Sequence, residues 1–434
     1  MGCRVVVTTV PISPTTPSSI LEWPAHQLML QRWALRRLWR SPRQAIAIGK
    51  RGPIRSLHDF RGSRHSIQHS LRHHLSCQGL LGARALFTEA IPSILVPPAI
   101  FVGLLLALWT WKCFWIVVLQ DKLLYLSWLP PLSRSESIAD YAGEFRGVQW
   151  TENSIRSLDG TKLALCEGRF PTRTARSSNA RKKSVVICYF QGNGGSTPLR
   201  LPLLSQVMRT IQDSAHSPDV EYIVVALSYR GYWKSSGRGT QRGIELDAQA
   251  FLKWVSETYN TPDTDLEVVL WGHSLGAAVA STATITQLST ATASHEPAGQ
   301  ENPVPISGLI LEAPISSIKD MLVSLYPQKW LPYRYLWPFS WNNWDVAAAL
   351  EKIAHHREEA LENARPIPPI FILSAANDEV IPLWVADQLE EKAKTLGLDV
   401  ERKDVKGAMH IEGPLKVDGR KALVNFIFKV SCCK

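Results

Sequence analysis

The chain has 434 residues, 45% of them hydrophobic, and carries a formal net charge of +10 at pH 7. That charge lies in residues 1–93, where thirteen Lys and Arg face three acidic residues, and the remainder is neutral overall. A nucleic-acid-binding body is therefore not expected, because it would need positive charge spread over a folded face. The hydrophobic content excludes a wholly disordered chain, and the scattered cysteines predict neither a disulfide framework nor a metal site.

Residues 1–93 are predicted to form a basic, largely disordered N-terminal arm. One interpretation is a tail whose charge only sets membrane topology. The other is a mitochondrial transit peptide, because the segment is rich in Arg and Ser and poor in acidic residues. The sequence leaves both open.

An apolar run follows at residues 94–119. A bilayer core of about 30 Å needs about 20 such residues, so we predict a single transmembrane anchor. A buried core helix is the alternative, which Pro97, Pro98 and Lys112 favour. As an uncleaved anchor the helix would place the chain in the endoplasmic reticulum or another endomembrane, or in the mitochondrion if the arm is a transit peptide. The positive-inside rule would keep the arm cytoplasmic and the body across the membrane.

Residues 140–430 show a regular alternation of strand and helix patterns. The Asp159-Gly160 pair predicts the turn of a β-hairpin. Helical patterns then separate short apolar runs that are typical of strands buried on both faces. These runs lie at residues 184–190, 222–229, 266–272, 308–313 and 370–375. The alternation predicts βαβ units, a mainly parallel sheet with flanking helices, and the α/β fold class.

An insertion at about residues 316–365 interrupts this alternation, and residues 326–344 within it contain eight Trp, Tyr and Phe. We expect a cap over the strand ends, with Trp330, Trp337 and Trp341 as candidate substrate contacts. Plain core packing is the alternative, since aromatic residues dominate protein cores as readily as binding pockets.

The strongest motif is Gly272-His273-Ser274-Leu275-Gly276, placed between a predicted strand and a predicted helix. A nucleophile elbow needs this context, because the tight turn exposes the serine hydroxyl and small flanking residues let the chain bend. We therefore predict that Ser274 is the catalytic nucleophile. A serine in a structural turn is the alternative.

A serine nucleophile needs a histidine base and a carboxylate that orients it. Asp378 follows the last apolar run, in the loop where such folds place the acid, and Glu379 is its near competitor. His410 is the only histidine after Asp378. His355 and His356 precede the acid in a charged helical segment and are expected to be solvated. The predicted triad is Ser274, Asp378 and His410.

The oxyanion hole of such a site uses two backbone N–H groups. One is expected from Leu275, the residue after the nucleophile. The other is expected from Asn193 or Gly194, in the glycine-rich loop Gln191-Gly192-Asn193-Gly194-Gly195 after an earlier strand. The glycines permit close approach of the backbone, and the lack of a phosphate-binding pattern argues against a nucleotide.

These motifs resemble those of the membrane-anchored α/β-hydrolase-fold serine hydrolases, the lysophosphatidylserine and monoacylglycerol lipase group with its yeast and fungal relatives. The resemblance covers residues 150–428. It rests on the glycine-rich loop, where the family has His-Gly-Asn-Ala-Gly, and on Trp271 to Gly276, which matches Trp-Gly-His-Ser-Leu-Gly. It also rests on Ser228-Tyr229-Arg230-Gly231-Tyr232-Trp233-Lys234-Ser235 and on Leu311-Glu312-Ala313-Pro314.

Four departures from the family pattern are Gln191 for His, Ser228 for Asp, Trp233 for Gly, and Ala408-Met409 before His410. Gln191 and Trp233 would reshape the mouth of the site, which makes Trp233 a further candidate substrate contact. The resemblance implies inheritance of the reaction type more than of the substrate.

The triad and the resemblance together predict a serine hydrolase that cleaves carboxylic esters without a metal or cofactor. An apolar anchor and an aromatic cap suit a lipid or lysolipid ester drawn from the bilayer. The alternatives are a thioesterase or peptidase that acts on a soluble substrate, and a non-catalytic binding protein that kept the fold. No nucleic-acid partner is expected.

Overall fold

The computed structural model describes residues 92–171, 182–215, 220–293, 304–360 and 367–432. Almost all of the predicted basic arm, and the end of the predicted insertion at residues 361–365, lie outside the described residues. The described chain falls into two units, residues 92–115 and residues 116–432, which are treated separately.

The first unit is the start of a long apolar helix. A 3-10 turn at Ser93–Leu95 leads into α1 at Val96–Val118, which agrees with the apolar run in the sequence. The stretch Ser93–Val118 has a mean hydropathy of 2.0 over its most apolar window, and none of that window is buried. Its 23 helical residues extend about 35 Å, which is long enough to cross a bilayer core.

The second unit is built on an eight-stranded sheet, which confirms the predicted α/β class. In chain order its strands are β1 Gln149–Arg156, β2 Lys162–Arg169, β3 Lys182–Phe190, β4 Val220–Ser228, β5 Thr264–His273, β6 Ile306–Glu312, β7 Ile370–Ala375 and β8 Val400–Val405. The spatial order is β1-β2-β4-β3-β5-β6-β7-β8. The pairs β1/β2 and β2/β4 are antiparallel and all others are parallel.

Helices cover both faces of the sheet. The helices described after α1 are, in chain order, α2 Gln120–Leu124, α3 Leu201–Ser214, α4 Gln241–Tyr259, α5 Leu275–Ala293, α6 Ile318–Leu325, α7 Val346–Ala360, α8 Trp384–Thr395 and α9 Val417–Cys432. One apolar core lies under α4, α5, α7 and α8, and the other lies under α3 and α9. Along β3, successive side chains alternate between the two cores: Val186 and Cys188 join the first, Val185 and Ile187 the second. Burial on both faces explains the continuous apolar runs.

The predicted insertion contains two different structures. Val346, Leu350 and Ile353 of α7 are fully buried in the first core, so α7 is one of the layer helices. The remainder, residues 318–345, is called the cap segment here. It contains α6 and two short 3-10 turns, Pro332–Tyr335 and Trp337–Phe339, and the turns carry four of its eight aromatic residues.

A buried ion pair fixes the loop after β4. The Arg230 guanidinium donates to Asp247 on α4 at 2.7 Å and to Asp159 at 2.7 Å, and Asp247 also accepts the Arg230 backbone N–H at 2.9 Å. Asp247 is fully buried. The tyrosines on either side, Tyr229 and Tyr232, point their hydroxyls at the loop after β3. The ion pair therefore positions the groups that hold the glycine-rich loop.

Asp247→Ala is expected to lower the free energy of unfolding by about 3 kcal/mol or more, because it leaves a buried guanidinium without its main counter-charge. Chemical denaturation of the detergent-solubilised full chain measures the change. The matched control is Asp213→Ala, which removes a half-exposed ion pair with Arg209 and should cost less than about 1 kcal/mol. Equal losses in the two variants would contradict the role of the buried pair.

Candidate active site

Ser274 occupies a sharp turn between β5, which ends at His273, and α5, which begins at Leu275. Its φ is 55°, a left-handed value that non-glycine residues adopt mainly where the surrounding structure imposes it. The Ser274 N–H donates to the Glu312 carbonyl at 2.8 Å, which ties the turn to the end of β6. This is the strand-turn-helix context that a nucleophile elbow requires.

The two glycines of the motif are required by close approach of the backbone. A Cβ atom at Gly276 would lie 2.1 Å from the Phe190 carbonyl oxygen, and one at Gly272 would lie 2.2 Å from the Gly276 carbonyl oxygen. No side chain fits at either position. The start of α5 is thereby pressed against the end of β3, where the glycine-rich loop begins.

Asp378 and His410, two members of the predicted triad, lie within hydrogen-bonding distance of each other. His410 Nδ1 lies 2.8 Å from Asp378 Oδ2, and the two side chains are 7% and 3% exposed. Asp378 Oδ1 accepts the N–H groups of Val380 and Ile381 at 2.8 and 2.7 Å, which fixes the carboxylate. With Nδ1 donating to a carboxylate, the proton sits on Nδ1 and Nε2 is free to accept one.

Glu379 has a different contact from Asp378. Its Oε2 accepts the backbone N–H of His410 at 3.1 Å. Glu379 therefore holds the backbone of the loop, and the geometry favours Asp378 as the partner of the imidazole. His356 lies on α7, and its Nε2 is 3.0 Å from the Ser289 hydroxyl at the other end of α5 from Ser274.

The elbow and the histidine loop lie side by side. The rings of His273 and His410 are 5.0 Å apart, and His273 Nε2 is 3.3 Å from the His410 carbonyl oxygen. Within the described residues Ser274 Oγ makes no hydrogen bond to His410. Such catalytic hydrogen bonds often form or tighten only when substrate binds.

The glycine-rich loop lies against the elbow. A Cβ atom at Gly192 would lie 2.9 Å from His273 Nδ1, so any side chain there would have to displace the His273 ring. The Tyr229 hydroxyl donates to the Gln191 carbonyl at 2.9 Å, and the Tyr232 hydroxyl donates to the Asn193 carbonyl at 2.9 Å. These bonds hold the loop that carries the predicted donors Asn193 and Gly194. Leu275, the other predicted donor, is the first residue of α5.

The candidate substrate contacts fall into two groups. Trp233 is 1% exposed, belongs to the second core, and donates from Nε1 to the Glu136 carbonyl at 2.7 Å. Trp330, Trp337 and Trp341 of the cap segment are 66%, 42% and 54% exposed. The aromatic cap segment therefore presents most of its tryptophans to its surroundings.

Beneath the elbow lies a polar network that the sequence analysis missed. Arg200 donates from Nη2 to His273 Nδ1 at 3.0 Å, so the proton of the neutral imidazole sits on Nε2, which faces the His410 carbonyl. Burial lowers the pKa of His273 well below its usual value, and the nearby Arg200 and His410 lower it further. His273 is thus a neutral bridge from Arg200 to the histidine loop.

Glu312 is the acidic member of this network. Burial raises its pKa to about 7, while Arg200 and a 2.8 Å hydrogen bond from Trp271 Nε1 oppose that rise. Its Oε1 lies 4.0 Å from His273 Nε2 and has no hydrogen-bond partner among the described residues. A glutamate at the end of an apolar strand was the available sequence signal. The sequence carried no signal for Arg200, because Arg200 contacts His273 only in the folded protein.

Glu312→Gln is expected to stabilise the protein at high pH. Between about pH 4.5 and 7 the folded state keeps a proton that the unfolded chain releases, so the stability of the natural chain falls as the pH rises through that window. The variant cannot ionise, and its advantage should grow from small near pH 5 to about 3 kcal/mol near pH 8. Chemical denaturation at several pH values measures it. The control Glu257→Gln changes an exposed carboxylate, and a pH-independent effect of Glu312→Gln would refute the prediction.

His273→Asn is expected to lower kcat about tenfold and to leave KM within about twofold. Asparagine can still accept a hydrogen bond from Arg200 but is too short to reach the His410 carbonyl, so the candidate base His410 loses part of its support. Steady-state kinetics on a soluble chromogenic ester measures kcat and KM separately. An unchanged kcat would show that the bridge does not matter for turnover.

Known protein sequences are similar to the part of this chain that contains these motifs. The sequence model described as "Alpha/beta hydrolase family" matches residues 196–415, half of the chain, including Ser274, Asp378 and His410. The chain is 26% identical over 310 residues to "Alpha/beta hydrolase domain-containing protein WAV2" of Arabidopsis thaliana, covering 68% of this chain and 83% of that protein.

Two further relatives are matched over shorter lengths. "Protein bem46" of Schizosaccharomyces pombe is 26% identical over 205 residues, which cover 47% of this chain and 55% of that protein. "Lysophosphatidylserine lipase ABHD12" of Danio rerio is 30% identical over 211 residues, which cover 48% of this chain and 47% of that protein. The matched region is thus about half the length of each of these two relatives. With the sheet order, the elbow and the family match in agreement, this chain belongs to the alpha/beta hydrolase family.

Proposed function

We propose that the protein is a serine hydrolase that cleaves carboxylic esters with Ser274, His410 and Asp378. The observation that carries this proposal is the 2.8 Å contact between Asp378 Oδ2 and His410 Nδ1, in a loop that touches the elbow of Ser274. Ser274, Asp378 and His410 follow the carboxyl ends of β5, β7 and β8, at the edge of the sheet where α/β folds place their active sites.

Each group has a chemical role in this mechanism. Ser274 Oγ attacks the ester carbonyl carbon and gives its proton to His410 Nε2. The backbone N–H of Leu275, with that of Asn193 or Gly194, binds the oxyanion of the tetrahedral intermediate. His410 then protonates the leaving alcohol, and an acyl-enzyme remains. Water attacks the acyl-enzyme with His410 as base, which releases the carboxylic acid and restores Ser274.

A lipid or lysolipid ester is the substrate class that we propose. The apolar helix α1 is long enough to hold the chain in a bilayer. The cap segment presents a cluster of apolar side chains that are each more than two-fifths exposed: Leu325, Trp330, Tyr335, Trp337, Phe339 and Trp341. The surfaces of soluble proteins rarely expose so many aromatic side chains in one segment, and Trp and Tyr favour the membrane interface. One relative is by its name a lysophosphatidylserine lipase.

We also propose that α1 makes the chain a single-pass membrane protein of the endoplasmic reticulum or another endomembrane. The mitochondrion is the alternative, because the composition of residues 1–93 suits both. The proposal rests on the length and hydropathy of Ser93–Val118 and on the basic residues that precede it.

The triad is tested with a fluorophosphonate probe on the detergent-solubilised full chain. We expect Ser274→Ala to abolish labelling and Asp378→Asn to slow it by about 10³-fold or more, because the imidazole loses its orienting carboxylate. The matched control is Glu379→Gln, which changes the neighbouring carboxylate and should slow labelling far less. Absence of labelling in the natural chain, or equal labelling of Ser274→Ala, would overturn the hydrolase proposal.

The substrate class is tested by the dependence of kcat/KM on acyl-chain length, from short soluble esters to long-chain lysolipids in mixed micelles. A lipid hydrolase should prefer long chains. A clear preference for short soluble esters would remove the lipid proposal and leave the serine hydrolase intact.

A further inference from the structure

Ten residues that begin two positions after the end of α1 contact both the glycine-rich loop of the candidate active site and the cap segment. Residues 120–129, here called the strap, run from the end of the apolar helix to the start of the catalytic body. We propose that the strap is a positioning element of the active site, which orients an oxyanion donor and ties it to the cap segment. This inference rests on the proposed hydrolase function.

The strap pairs with the glycine-rich loop through the backbone. Leu126 N–H donates to the Asn193 carbonyl at 2.8 Å, and Gly195 N–H donates to the Leu129 carbonyl at 2.8 Å. Leu126 and Gly194 form an isolated parallel bridge. The strap thus adds a short strand-like contact to a loop that otherwise lies beyond the end of β3.

This pairing fixes the direction of one predicted oxyanion donor. The Asn193 carbonyl and the Gly194 N–H belong to the same planar trans peptide, so they point in opposite directions. When Leu126 holds the carbonyl, it also holds the Gly194 N–H. The Tyr232 hydroxyl donates a second hydrogen bond to the Asn193 carbonyl oxygen, at 2.9 Å. An oxyanion donor must be held in place before reaction to be effective.

Side chains of the strap form hydrogen bonds with the cap segment. The Tyr125 hydroxyl donates to Asn342 Oδ1 at 2.7 Å and accepts from Trp344 Nε1 at 2.9 Å, and Tyr125 is 3% exposed. Asp121 Oδ1 accepts from Asn342 Nδ2 at 2.7 Å and from Trp341 Nε1 at 2.9 Å. These are side-chain bonds between residues more than 200 positions apart in the sequence.

A passive linker would not need such contacts. The strap begins two residues after α1 ends, and within its length it binds the cap segment at Asp121 and Tyr125 and the oxyanion loop at Leu126 and Leu129. Any displacement of the strap therefore moves the cap segment and the loop together. The strap is therefore structurally part of the active site.

Leu126→Pro in the full chain tests the orientation of the loop, because proline removes the N–H that binds Asn193. Tyr125 has ψ of 84°, outside the helical region that a following proline disfavours. We expect kcat on a soluble ester to fall about 10- to 100-fold with KM within about threefold. Affinity for a trifluoromethyl ketone, which forms a tetrahedral oxyanion on serine, should fall by the same factor as kcat/KM. Leu126→Ala keeps the N–H and should lose less than about threefold.

Tyr125→Phe tests the positioning role of the strap if Leu126→Pro does not fold. It deletes only the hydroxyl that joins Asn342 and Trp344, and we expect kcat and ketone affinity to fall together by about 3- to 10-fold. A loss confined to KM, an unchanged kcat, or a fall in kcat without a fall in ketone affinity would each overturn the positioning role. Failure of the natural chain to hydrolyse any ester would instead overturn the proposed function.

Discussion

The structure depends on how closely the start of α5 approaches the end of β3. Gly276 lies where any side chain would collide with the Phe190 carbonyl, and Ser274 takes a left-handed φ to make the turn. This contact places the hydroxyl of Ser274, the N–H of Leu275 and the glycine-rich loop at one edge of the sheet. The parallel strand order brings the loops of Asp378 and His410 to the same edge.

Buried polar groups then hold these loops in place from below. Arg230 and Asp247 fix the turn whose tyrosines bind the glycine-rich loop. Arg200 and His273 connect the elbow to the backbone of His410. Because such bonds lie in a low-dielectric interior, breaking one leaves another group unsatisfied, and the loops therefore have few alternative positions. Rigid supports of this kind suit a site that must hold donors ready for a developing charge.

The strap joins this rigid site to the hydrophobic helix. Asp121 and Tyr125 bind the cap segment, and Leu126 binds the loop that carries Gly194. The cap segment also carries the largest group of exposed aromatic side chains in the part of the chain described after α1. One short segment thus connects the exposed apolar surface of the cap segment to the loop of the predicted oxyanion donors, an arrangement that suits the proposed lipid substrate.

The fold class, the apolar helix and the order of the candidate catalytic motifs could be predicted from the sequence, because strand and helix periodicities and the Gly272 to Gly276 turn are local patterns. The sequence also placed Asp378 and His410 by chain order alone. It could not choose between Asp378 and Glu379 by contact, could not find Arg200, and assigned no role to Leu126. These points depend on contacts between groups that lie 31 to 73 residues apart in the sequence and meet only in the folded protein. No local pattern records such a contact.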